Sequence, residues 1–509
     1  MKVLSAAQMR SVDGMTIGRG IPGLILMENA AHRVVEYMAS RFAPLGDQRI
    51  VVLCGKGNNG GDGLAIARQL HSRFAPRALD VVLGAEPGEL QGDAAENLRM
   101  LRACGLEPQR EISAAMQRAT VVVDAVLGTG LRGPAEGRAA ELIHAINQGF
   151  PDARVVAVDL PSGMFSDAAN QTGEVARADG TVTFTAPKMC HVLPPNCDRC
   201  GELVVGAIGS PGELYENDPA IFTSLMERGW FVPLFRPRAR GAHKGDFGHV
   251  LVVGGSRGKT GAAAMTGMAA LRSGAGLVTV ASAYSAVASI AAFAPELMTE
   301  PLAENDIGSI AARAYPVVEA LAARKTIAAI GPGLGLAADT TAFAQNVFSH
   351  LELPAVMDAD AITAIAGTRV RPDGPRILTP HPGEMARFCG CTTAEVQADR
   401  IGYARTAALD REVTIVLKGQ RTIIAFPDGR VWINPTGTPA MATAGSGDIL
   451  TGLIAGFMGQ FQDEADYAIG AAVWLHGRAG EIAAASMGEK AVIATDLLRY
   501  LPQAMTELT

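Results

Sequence analysis

The stretch RIVVLCGKGNNGGDGLAIARQL, residues 49–70, joins a short apolar run to a helix-like segment through a loop that holds five glycines and two asparagines in nine residues. The run RIVVLC is short, β-branched and apolar, as a buried strand is. Glycine frees the backbone for positive φ and leaves room beside it. The loop is therefore either a tight turn or a place where backbone meets ligand. The helix is expected to begin near Gly63 or Leu64, with its amide dipole aimed at a phosphate. The spacing is neither the Walker loop nor GxGxxG.

Working outward, the alternation continues. LDVVLG (79–84), ATVVVDAVLG (119–128), ARVVAVDLPSG (153–163), GTVTFTA (180–186) and GELVVGAIG (201–209) read as strands, with helical stretches such as AAELIHAINQGF between them. Apolar strands alternating with helices predict a parallel sheet covered on both faces. Residues 210–247 break the pattern with prolines, glycines and a basic patch that includes Lys244, and the domain boundary is set near 220, giving 1–220 and 221–509. A second series then begins: GHVLVVGGS (248–256), GLVTVAS (276–282), TIAAIGPGLG (326–335), PAVMDADA (354–361), RILTPHPGE (376–384) and TIVLKG (414–419). TIIAFPDGRVWINP (422–435) reads as a hairpin about Asp428 and Gly429. The expected fold class is α/β, two three-layer αβα domains, each with ligands at the carboxyl ends of its strands.

Composition agrees and excludes other classes. A chain of 509 residues exceeds one ordinary core, and 48% apolar with 19% charged residues is globular. A net charge of −7 argues against a general nucleic-acid binder. The start MKVLSAAQMRSVDG lacks the continuous apolar core of a signal peptide, and 261–284 is interrupted by Arg272 and glycines, a buried helix and strand rather than a membrane span. Seven cysteines include one CxxC, Cys197 and Cys200, near His191, too little for a four-ligand zinc site. A cytoplasmic, homo-oligomeric enzyme with no nucleic-acid or membrane partner is expected.

In the first domain, Asp124 and Asp159 each stand where an apolar strand should stop, Asp124 ahead of a second glycine loop with Arg132, and Asp159 ahead of Ser162. Together NNGGDG, DAVLGTGLRGP, AVDLPSG, FTAPK and LMENA resemble the NAD(P)H-hydrate epimerase family over residues 1–215. That resemblance implies a Rossmann-like domain that interconverts R and S hydrates of NADH and NADPH. By it, Asn58, Asn59, Gly60, Gly61 and Asp62, with Gly128, Thr129, Gly130, Leu131, Arg132, Gly133 and Pro134, hold the dinucleotide. Asp159 is catalytic, and Asn59, Asp124 and Ser162 hold a potassium ion. The residue types suit this chemistry. Inverting a hemiaminal carbon breaks and remakes a bond there, and a carboxylate can move the proton. Neutral and anionic oxygens suit a hard cation.

In the second domain TPAMATAGSGDILTGLIAGFMGQ (438–460) leads from small residues through Gly445, Ser446, Gly447 and Asp448 into an apolar helix. Amides at that start would form an anion hole, and Asp448 could accept the proton of a hydroxyl brought to a phosphate. The arrangement resembles the ribokinase-like superfamily. HKGDFGHVLVVGGS, GPGLG, DADA, TPHPGE, LKGQRT and AGSGDILTG narrow the resemblance to the ADP/ATP-dependent NAD(P)H-hydrate dehydratases, from about 240 to 500. It implies that Ala262, Gly333, His381 and Asp448 contact the hydrated nucleotide. Lys418, Gly419, Gln420, Arg421, Thr422 and Gly447 would hold the adenine nucleotide, with magnesium near Glu384. Relatives often carry threonine or alanine at the place of Ser446, and many superfamily kinases carry asparagine at that of His381. ADP is the expected co-substrate, since bacterial relatives generally use it, though sequence leaves ATP open. Phosphorylation would turn the ring hydroxyl into a good leaving group, and Lys418 and Arg421 are natural phosphate partners. A small-molecule kinase, or a nucleotide sensor in the first domain, remains an alternative.

Overall fold

The computed structural model describes residues 1–168 and 172–509. The chain divides into two compact units, Met1–Thr223 and Ser224–Thr509. The first has six parallel strands: β1 (Arg49–Cys54), β2 (Ala78–Leu83), β3 (Val121–Ala125), β4 (Arg154–Val158), β5 (Gly180–Phe184) and β6 (Glu202–Gly206). Their order is β2-β1-β3-β4-β5-β6, so the winding reverses between β1 and β3. Alternation divides each apolar run between two faces. Ile50, Val52, Val121 and Val123 pack with Val34 and Leu64 on one side. Val51, Leu53 and Val122 pack with Leu142 and Ile143 on the other. Both glycine loops leave the sheet at the switch point, where doubly wound sheets open a crevice.

The loop after β1 differs from expectation in one respect. The helix starts at Asn58, not near Gly63, and runs to Phe74, so NNGGDG is its first turns. None of Gly60, Gly61 and Gly63 has positive φ. They are glycines for want of space. A Cβ would lie 1.9 Å from the Gly55 carbonyl oxygen at Gly60, 2.8 Å from Met27 Sδ at Gly61 and 2.6 Å from Ala125 Cβ at Gly63. Close packing of this helix on β1 and β3 outweighs poor helix propensity.

The second sheet is built of β7 (Thr223–Leu225), β8 (His249–Val253), β9 (Leu277–Ala283), β10 (Met298–Leu302), β11 (Ile327–Ile330), β12 (Ala355–Met357), β13 (Arg376–Leu378), β14 (Thr414–Leu417), β15 (Ile423–Ala425) and β16 (Val431–Ile433). Their order is β10-β9-β8-β11-β12-β13-β14-β15-β16-β7. β10 to β14 pair in parallel, and β15 and β16 form the expected antiparallel hairpin. The edge strand β10 was not expected, because Pro301 and the exposed Glu300 suit only an edge. The helix Ser446–Gln460 lies hard against the helix Thr260–Arg272. A Cβ at Gly452 would lie 2.1 Å from the Thr266 carbonyl oxygen, and one at Gly456 would lie 1.9 Å from Ser273 Oγ.

Arg376 is 2% exposed and pairs with no carboxylate among the described residues. Its guanidinium donates to the carbonyls of Phe348 (3.0 Å), Val347 (3.1 Å), Leu353 (3.2 Å), Pro375 (3.1 Å) and Leu351. Three of these acceptors close the helix Ala338–His350, where a cation is favoured. Arg376→Met leaves them without donors, at a cost of about 3 kcal/mol to the second unit. All three tryptophans, Trp230, Trp432 and Trp474, belong to this unit, so a lower urea midpoint by tryptophan fluorescence measures the loss. An unchanged midpoint contradicts it.

Two candidate active sites

In the first unit a cavity of about 580 Å³ opens at the switch point. It is lined by Asn58, Asn59, Asp62, Gly128, Thr129, Gly130, Leu131 and Asp159 of the expected residues. Gly60 and Gly61 face the packing behind it, and Arg132, Gly133 and Pro134 continue the second loop beyond its wall. Asp159 follows β4 in the left-handed region at φ 67°. Its Oδ1 accepts from Lys188 Nζ (2.6 Å) and Thr183 Oγ1 (2.9 Å), and Lys188 also donates to Thr183 Oγ1 (2.8 Å). Lys188 is 1% exposed. Burial pushes the Asp159 carboxyl up, but Lys188 and the hydroxyl outweigh it and hold the group below its ordinary value.

Beneath the second loop, Asp124 Oδ1 accepts from Ser162 Oγ (2.5 Å) and Oδ2 from the Ser162 amide (2.8 Å). Ser162 Oγ in turn accepts from the Leu127 amide (2.8 Å). Burial raises Asp124 to about 6, offset in part by these bonds. Asn59 stands against Gly128, and its amide oxygen and nitrogen are both buried without a partner among the described residues. A buried carboxylate without a countercharge among the described residues, a hydroxyl and an orphaned amide oxygen form an oxygen donor set that fits a hard monovalent cation.

In the second unit, Asp448 lies in the first turn of the helix Ser446–Gln460, which Gly445 enters at φ 91°. A Cβ at Gly445 would also lie 2.5 Å from Met265 Cε. Burial, with Asp358 and Asp360 adding repulsion against the pull of Lys418, raises Asp448 to about 7. Lys418 reaches inward. Its Nζ donates to Asp358 Oδ1 (2.7 Å) and lies 3.9 Å from Glu384 Oε2. Asp358 also accepts from Thr379 Oγ1 (2.8 Å) and Thr451 Oγ1 (2.8 Å). Gly447 sits beside Lys418, where a Cβ would come 3.3 Å from Nζ. Arg421 turns its guanidinium to the Pro435 carbonyl (2.9 Å). Thr422 Oγ1 donates to the Gly419 carbonyl (3.0 Å), and buried Arg400 donates to the carbonyls of Gln420, Leu417 and Lys418, fixing the loop.

Gly333 and Ala262 adjoin: a Cβ on Gly333 would lie 3.2 Å from Ala262 Cβ, and φ is 66°. His381 caps the helix Pro382–Cys389, its Nδ1 accepting from the amides of Gly383 (3.0 Å) and Glu384 (3.4 Å), while Glu384 Oε2 accepts from the His381 amide (2.8 Å). Burial raises Glu384, against the pull of Lys418.

The family model described as NAD(P)H-hydrate dehydratase matches residues 250–503, and that of the YjeF-related protein N-terminus matches residues 23–190. The bifunctional NAD(P)H-hydrate repair enzyme of Moorella thermoacetica is 42% identical across 100% of this chain and 97% of its own length. The chain belongs to this family. The Coxiella burnetii member is 36% identical across 97% of each chain. Among solved structures, a ribokinase-like superfamily protein of Enterococcus faecalis matches with TM-score 0.50 and 27% identity, covering 56% of this chain and 96% of that one. The ADP/ATP-dependent NAD(P)H-hydrate dehydratase of Bacillus subtilis, co-crystallized with ATP/Mg2+, matches at 32% identity and TM-score 0.48, covering 55% of this chain and 98% of that one.

The fold brings several further polar residues to the two sites. Lys188 lies inside FTAPK and Asp358 inside DADA, and Asp358 ends a strand just as Asp124 and Asp159 do. Asp13, Thr183 and Thr451 carried no local signal, since helices and strands place them only in three dimensions.

Proposed function

We propose that residues 1–220 interconvert the R and S hydrates of NADH and NADPH, and that residues 221–509 dehydrate the S form at the expense of ADP, releasing AMP and phosphate. The carrying observation is Asp448 in the first turn of a helix, its carboxyl raised to about 7 and beside the buried Lys418–Asp358 pair. A carboxyl poised near neutrality can take the hydroxyl proton as phosphoryl transfer proceeds. The helix amides, Lys418 and the loop 418–422 favour the phosphates. Once phosphorylated, the ring oxygen leaves as phosphate, pushed by the ring nitrogen, and loss of a proton from the neighbouring carbon restores the double bond. Ala262 and Gly333 leave room for the ring, and His381 faces the leaving group.

In the epimerase site Asp159 moves the proton on the hemiaminal oxygen. The donor set of Asn59, Asp124 and Ser162 would hold potassium, which when bound supplies positive charge beside the dinucleotide phosphates. Magnesium would accompany the adenine nucleotide near Glu384 and neutralise the transferring phosphoryl. The carboxylates around Lys418 suit a divalent cation in charge, although Glu384 already accepts from the His381 amide. No helix among the described residues is long and apolar enough to cross a membrane. We place the chain in the cytoplasm as a homo-oligomer.

The purified chain, given mixed hydrated NADH and ADP, is expected to restore absorbance at the reduced-nicotinamide band completely, with one phosphate per ring. Asp159→Asn leaves the R fraction unused. A stable phosphorylated product without absorbance gain would instead identify a small-molecule kinase.

A further inference from the structure

Asp13 belongs to no motif and is the only acid of the helix Ala6–Gly18. It lines the same cavity as Asp159 and Lys188, entering from a different element. Its Oδ1 is buried and accepts no hydrogen bond from the described residues. An unsatisfied carboxyl oxygen is costly unless a ligand completes it. The other charged groups lining the cavity are Lys188, Asp159, Asp62, Arg10, Lys56 and Asp93. Burial, opposed by Lys188 and reinforced by Asp159, raises Asp13 to about 6. Asp159 moves the other way. Two carboxyls whose surroundings drive their protonation apart suit one donor and one acceptor.

We propose that Asp13 is the second proton-handling residue of the epimerase, acting on the hydroxyl opposite to the one served by Asp159. This rests on the epimerase reading above. In one direction the carbon–oxygen bond breaks, its electron pair goes to oxygen, and Asp13 supplies the proton, so water leaves. The ring nitrogen shares its lone pair with the carbon as an iminium. Water then adds to the other face of that carbon, its spare proton goes to the Asp159 carboxylate, and the ring is neutral again. Between turnovers Asp159 gives that proton to solvent and Asp13 takes one from it, which resets both carboxyls; the reverse turnover exchanges the two roles.

The test uses the full chain with ADP and separated epimers, S consumption reporting the dehydratase and R consumption the epimerase. Asp13→Asn is expected to lower kcat on the R epimer by about 100-fold or more, with KM changed less than about threefold and S consumption unchanged. Asp13→Glu regains part of the rate. Because the buried Oδ1 of the wild-type carboxyl has no donor among the described residues, the melting temperature of Asp13→Asn stays level or rises. Wild-type R turnover in Asp13→Asn overturns the proposal. So does a rate loss accompanied by a lower melting temperature and no rescue by glutamate, which marks a structural residue. A wild-type chain that consumes S but leaves R untouched removes the epimerase reading itself.

Discussion

Asp448→Asn is expected to abolish dehydration of the S hydrate, lowering kcat by about 1,000-fold or more, with nucleotide binding retained. The amide keeps the shape of the carboxylate and the helix start that holds it, so the loss isolates proton acceptance from positioning. Wild-type activity has a matching pH dependence. The carboxyl is raised to about 7 by burial and by Asp358 and Asp360, so its basic form, and the rate at low substrate, grows as pH rises through about 7. The variant lacks that limb. Stability runs in the opposite sense, since a raised folded value means the charged form costs free energy above it. Removing the charge therefore should not lower the midpoint of tryptophan fluorescence. Residual activity within tenfold of wild type, measured as phosphate release, would sink the role given to Asp448.

Lys188→Met has the largest expected effect on stability. It removes the partner of Asp159 from a site where the lysine is 1% exposed, leaving a buried carboxylate beside Asp13 and Asp62. Breaking a buried pair from one side costs about 3–5 kcal/mol. The sign with pH follows. Asp159 is held below its ordinary 3.8, so the pair stabilises the unit above that value and its contribution fades as pH falls below it. In the variant Asp159 rises and neutralises instead, so the deficit is largest at neutral pH and shrinks in acid. Far-UV dichroism follows both units and tryptophan fluorescence only the second, so a separate early transition in dichroism alone is the expected trace. R-epimer turnover is lost with it. Coincident wild-type-like transitions by both probes contradict the argument.

The strands that build the two sheets around the sites were legible because a parallel sheet buries both faces and leaves an uninterrupted apolar run, as in RIVVLC. The places of Asp124, Asp159 and Asp448 followed from the same logic, each being polar where an apolar element begins or ends. What escaped was set by distance across the fold. The glycines at 60, 61 and 63 looked like turn residues, yet they answer to Gly55, Met27 and Ala125, contacts invisible along the chain. β10 was hidden by Pro301, which only an edge position tolerates. Arg400 is written in no motif, since it serves the backbone of a loop seventeen or more residues away.

With Nδ1 of His381 engaged by two backbone amides, the neutral ring has its hydrogen on Nε2, and burial, with nearby Lys418 and Arg387, disfavours a second proton. The imidazole can thus offer the hydrogen on Nε2, which lies 3.6 Å from Glu384 Oε1, but cannot receive one while the helix start stays intact. Whatever docks against it must present a lone pair, which admits an ester or phosphate oxygen and turns away an ammonium.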